Sequence, residues 1–115
     1  MVSSVTNLGR SGVYDWIIQR LTAVVLAIYT LFLLGFFIAT PELQFSQWQG
    51  LFAQTWMKVF SLAALISICA HAWVGMWTIS TDYFKAAGIR FAFQLVTAAF
   101  LFTYLVWGIE TLWGV

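Results

Sequence analysis

One histidine, His71, lies near the middle of an uncharged, mostly apolar run at residues 59–81. A bilayer core offers no water to an imidazole, so the ring must be satisfied by protein or by a bound group. Three chemistries are open to it: a structural hydrogen bond between helices, a proton relay, and ligation of a metal or haem iron. At about 100° per residue, steps of three and four from His71 pick out Ala64, Ser67, Gly75, Thr78 and Asp82 on its face. Each is small or polar. The stripe should therefore pack on protein or cofactor while much of the rest of the helix meets lipid. Gly75, one turn from His71, leaves room for a flat macrocycle and equally for a closely packed helix.

If His71 binds haem iron, a second axial ligand has no obvious source in this chain. There is no other histidine, and none of Met1, Met57 and Met76 falls at the same depth on another helix. The cofactor would then sit between subunits, with two strong ligands favouring electron transfer over oxygen binding. Asp82 lies about 16 Å further along the helix, back on the His71 face. Beside it is Tyr83, whose phenol can donate to a carbonyl while the carboxylate orients it or relays protons. A quinone taking up two electrons and two protons needs that pair. The plainer alternative is a water-exposed carboxylate next to an interfacial aromatic. Arg20, at the edge of the first span, can reach lipid headgroups or pair with an anion such as a haem propionate.

The elements that must hold these residues follow from charge. Arg10, Asp15, Arg20, Glu42, Lys58, Asp82, Lys85, Arg90 and Glu110 divide the chain into three uncharged stretches, residues 21–39, 59–81 and 91–109. Each exceeds the roughly 18 residues needed to cross the hydrocarbon core as a helix. The fold class is therefore all-α, a membrane domain over residues 1–115 with three transmembrane helices at about 16–39, 57–82 and 89–112. Pro41 disfavours helix at Thr40, and Gln44, Ser46, Gln47, Trp48 and Gln49 suit a short interfacial loop. Tyr14, Trp16, Trp48, Trp56, Tyr83 and Trp113 fall near the span ends. Arg10, Arg20, Lys85 and Arg90 lie on one side and Lys58 on the other, which makes the N-terminal side cytoplasmic and the C-terminus periplasmic.

Composition narrows the rest. At 63% hydrophobic and 8% charged residues, with a mean hydropathy of +0.92, a soluble domain could not hide its apolar surface. A net charge of +1 argues against nucleic-acid binding. The lone cysteine, Cys69, cannot form an intrachain disulfide and reads as a small apolar filler. The first helix carries no small-residue cleavage site and reads as a retained span.

The run His71-Ala72-Trp73-Val74-Gly75-Met76-Trp77-Thr78-Ile79-Ser80-Thr81-Asp82-Tyr83 resembles the second helix of the hydrophobic membrane anchor subunit of bacterial succinate dehydrogenase. Met1-Val2-Ser3, Leu8-Gly9-Arg10, Gly35-Phe36-Phe37, Lys58-Val59-Phe60 and Trp113-Gly114-Val115 are similar to the enterobacterial type of that family. The resemblance spans essentially the whole chain. It implies that His71 is an axial ligand of haem b, with a histidine of the larger cytochrome b membrane subunit opposite. It implies that Tyr83 hydrogen-bonds ubiquinone with Asp82 as its acidic neighbour, and that Arg20 lies near the haem propionates.

The implied setting is the bacterial inner membrane, where the two membrane subunits pack into a helix bundle. A flavoprotein subunit with FAD would oxidise succinate as a step of the tricarboxylic acid cycle. An iron–sulfur subunit would pass the electrons to ubiquinone in the aerobic respiratory chain, and this chain would oxidise no succinate itself. A trimer of the four-subunit complex is one assembly this allows. The rival readings are the anchor of a quinol:fumarate reductase, with the opposite direction, and a small non-redox transporter or adaptor.

Overall fold

The computed structural model describes residues 12–114. Arg10 with its charge in the topology count, the Met1-Val2-Ser3 and Leu8-Gly9-Arg10 matches, and Val115 lie outside the described residues. Four helices make up the rest: α1 (Gly12–Ala39), α2 (Phe45–Ala53), α3 (Thr55–Tyr83) and α4 (Ala87–Trp113). The long three, of 28, 29 and 27 residues, carry the expected spans. At about 1.5 Å per residue each is roughly 40 Å long, more than the ~30 Å hydrocarbon core. Their helical ends therefore run past the uncharged stretches. Charge marks where hydrocarbon ends, and a helix can continue into the headgroups.

The expected interfacial loop is in fact partly helical. Pro41 does stop α1, which closes with Thr40 N–H donating to Phe37 O at 3.3 Å. Past it, Trp48, Leu51 and Phe52 repeat at spacings of three and four, and each is half-buried. The Gln47 side chain accepts from the Gln44 backbone N–H at 2.8 Å, capping the first turn. Glutamine is a good helix former, so a polar segment read as loop becomes α2. Its Trp48 ring stacks on Phe37 at 5.4 Å between centroids and tilts against Phe52 at 4.7 Å. These contacts tie α2 to the end of α1.

The central element is α3, with α1 packed on one side and α4 on another. Ser61, Ala64 and Ser67 are buried, so the predicted small-residue stripe is a packing face over this part of the helix. His71 and Gly75 are half-buried, while Thr78 and Asp82 are exposed. Against α1, Tyr29 Oη and Ser61 Oγ share a hydrogen bond of 2.7 Å, and Phe60 meets Tyr29 and Phe32 edge-on. Against α4, Leu65 fills the space left by the missing side chain of Gly108. Further along, Ser80 bonds Gln94, and Phe84 packs edge-on against Phe93. No residue of α4 is buried, and Phe91, Phe102 and Trp107 are among its large exposed apolar groups. In lipid such a surface costs nothing, and it also offers area to neighbouring subunits.

Candidate functional site

Two helices build the site around His71. Thr22, buried on α1, presents its hydroxyl to α3, and Thr22 Oγ1 lies 3.0 Å from His71 Nδ1. This is the one hydrogen bond of the ring among the described residues, and it leaves Nε2 without a partner. One turn along α3, a Cβ placed on Gly75 would meet no atom within 4 Å, so the helix surface beside His71 opens onto free space.

Those features answer whether the residues fit a haem. One ring nitrogen of His71 is held by a hydroxyl of its own chain and the other has no partner among the described residues, the arrangement a histidine ligand requires. The space beside Gly75 leaves room for a macrocycle edge. The chain supplies one ligand only: Met57 is fully buried, Met76 is exposed on α3 itself, and no group of three metal-binding side chains occurs among the described residues. The fit is to half of a shared site.

Asp82 and Tyr83 form the last residues of α3, at the end where α1 begins and α4 begins. Both are exposed, Tyr83 at 74%, and neither side chain makes a hydrogen bond within the described residues. They stand about 16 Å from His71 along the helix. The described residues do not enclose anything bound there. Arg20 is also exposed, its guanidinium over the Trp16 ring at 5.2 Å, and it makes no ion pair among the described residues. Two residues from Thr22, it points about 200° away around α1. The structure thus joins His71 to Thr22 and leaves Arg20 on a different face.

Thr22 was not among the residues expected at the site, and neither was Asp15, a carboxylate only 8% exposed on α1. A signal for both exists in the sequence. Asp15, Thr22 and Tyr29 repeat every seven residues, a polar line on one face of the first span, two of which bond the matching line on α3. Gln19 Oε1 on α1 and Trp77 Nε1 on α3 are buried with no hydrogen-bond partner among the described residues.

A chain with three helices long and apolar enough to cross a membrane, a histidine bonded between two of them and an exposed acid–phenol pair at one helix end has the build of a membrane subunit. The family model described as "Succinate dehydrogenase/Fumarate reductase transmembrane subunit" matches residues 2–106, and the chain belongs to that family. It is 42% identical over 109 residues to the succinate dehydrogenase hydrophobic membrane anchor subunit of Coxiella burnetii, covering 95% of both chains. It is 29% identical over 102 residues to the subunit of the same name from Rickettsia bellii, covering 87% of this chain and 78% of that one.

Proposed function

We propose that this chain anchors a succinate:quinone oxidoreductase in the bacterial inner membrane, supplies His71 as one axial ligand of haem b, and contributes Tyr83 and Asp82 to ubiquinone reduction. The observation that carries the haem reading is the state of His71. Its Nδ1 is satisfied by Thr22 and its Nε2 has no partner among the described residues, in a chain whose family works as a transmembrane subunit. A second ligand would come from the larger cytochrome b subunit, and the flavoprotein and iron–sulfur subunits would dock at the cytoplasmic end. When bound, the haem supplies a one-electron couple between the membrane subunits.

At the other site the chemistry belongs to side chains of this chain. The Tyr83 phenol donates a hydrogen bond to a quinone carbonyl oxygen. As that oxygen gains electron density on reduction, the bond strengthens, and the Asp82 carboxylate orients the phenol or passes on a proton. Two electrons and two protons give the quinol. Arg20, exposed and without a carboxylate partner among the described residues, is one cation available at this end to lipid phosphates or to haem propionates that reach past the His71 face.

The family description names both succinate dehydrogenase and fumarate reductase. The two relatives above carry the succinate dehydrogenase name, which favours that direction. The test is a spectrum of the complex purified through this chain, with and without His71→Ala. A low-spin b-type haem spectrum altered by the substitution is the expected result. An unchanged spectrum excludes His71 as a ligand, and a complex with no chromophore favours the non-redox adaptor.

A further inference from the structure

Resting on the reading of His71 as a haem ligand, we infer that Thr22 is its positioning residue: the Thr22 hydroxyl sets the tautomer and the plane of the His71 ring. A threonine hydroxyl has one proton. Thr22 Oγ1 lies 2.7 Å from the carbonyl oxygen of Ile18 and 3.2 Å from that of Gln19. Carbonyl oxygens only accept, so the proton belongs to that contact. Toward His71 the hydroxyl oxygen is then an acceptor, and Nδ1 at 3.0 Å must carry the hydrogen.

The reverse arrangement fails on distance. If Thr22 donated to Nδ1, its oxygen would face the Ile18 carbonyl oxygen at 2.7 Å with no proton between them, in a buried place where water cannot relieve the repulsion. With Nδ1 carrying the hydrogen, the ring lone pair is on Nε2, the nitrogen without a partner among the described residues. The same contacts hold the acceptor still. Thr22 is buried at 7% exposure, and its bond back to the preceding turn locks its rotamer. A hydroxyl already donating to a carbonyl is also a more polarised acceptor. A ring whose N–H has a fixed acceptor is oriented and is a stronger base at its other nitrogen. Thr22 therefore favours ferric over ferrous iron and holds the haem midpoint potential down.

The experiment is a comparison of Thr22→Val, Thr22→Ala and Thr22→Ser in the purified complex, read by haem redox titration and by the low-spin electron paramagnetic resonance signal. Valine and alanine remove the hydroxyl with and without keeping the volume, and serine keeps the hydroxyl alone. Expected are a positive shift of the midpoint potential and altered g values for valine and alanine, with serine close to wild type. A valine complex indistinguishable from wild type, or a serine complex shifted as far as alanine, overturns the inference. If one of the hydroxyl-free variants does not assemble, the other makes the comparison with serine. If His71→Ala disturbs the haem while Thr22→Val does not, the positioning role falls and the ligand stands. If His71→Ala leaves the spectrum unchanged, the ligand reading itself falls.

Discussion

Gln94 of α4 donates from Nε2 to Ser80 Oγ of α3 at 2.8 Å, three residues before Tyr83. Ser80 is fully buried, and its own proton goes to Trp77 O at 2.8 Å, so the serine oxygen is an oriented acceptor. This bond pins α4 to the last turns of the helix that presents Asp82 and Tyr83. Interhelical hydrogen bonds in membranes average about 0.6 kcal/mol and reach about 1.7. Gln94→Leu should accordingly weaken the complex by an amount in that range in detergent denaturation, and raise the apparent KM for quinone because the Tyr83 end is less well held. Unchanged stability with unchanged KM would show that the bond carries no weight.

A second contact between the same helices rests on the absence of a side chain. A Cβ at Gly108 would run into Leu65 Cδ2 and sit 3.3 Å from Cδ1. The obstacle is the tip of a flexible chain, so alanine asks for a shift and valine for a larger displacement. Overpacking of this sort costs about 1–3 kcal/mol. Gly108→Ala should destabilise the complex mildly and Gly108→Val more. Truncating the obstacle with Leu65→Ala should recover part of the Gly108→Val loss, whereas simple additivity of the two would place the strain elsewhere.

How far the fold could be read beforehand depends on which force decides each element. The three spans follow from apolar length bounded by charge, because in a bilayer a helix is the form that satisfies its own backbone. The short helix α2 was missed since Pro41 and the glutamines read as a loop, while the decisive contacts, Trp48 on Phe37 and the Gln47 cap, are tertiary or local details. His71 drew attention by its chemistry. Thr22 did not, because a threonine in a span normally bonds its own preceding turn, and only the pairing of α1 with α3 shows that its oxygen also serves the histidine. At Thr78 and Asp82 the stripe is exposed, so the periodicity that placed them on the His71 face says nothing of what covers them.

For Tyr83 the prediction separates two activities of one complex. Tyr83→Phe keeps the exposed ring and removes the hydroxyl alone. A hydrogen bond worth about 0.5–1.5 kcal/mol to the reacting quinone corresponds to roughly a 2- to 13-fold loss in kcat/KM for quinone reduction. Succinate oxidation with an artificial soluble acceptor should persist, since those electrons leave before the membrane. Equal loss of both activities would mean that the substitution disturbs docking of the partner subunits and has no local role at the quinone.

Orientation in the membrane is open to a direct reporter. α2 has nine residues, about 14 Å of helix, less than half the hydrocarbon thickness, so it cannot add a crossing. Three crossings place the two ends of the chain on opposite sides. The end shared by the start of α1 and the α3–α4 connection carries Arg20, Lys85 and Arg90, against Lys58 at the other. The positive-inside bias predicts the first group in the cytoplasm and Trp113, at the end of α4, in the periplasm. A C-terminal alkaline phosphatase fusion should be active and a C-terminal green fluorescent protein fusion dark. The opposite pair of signals would invert the topology and move Asp82 and Tyr83 to the periplasmic face. A cytoplasmic iron–sulfur subunit could not reach a quinone there, so the same result would remove the quinone role proposed for Tyr83.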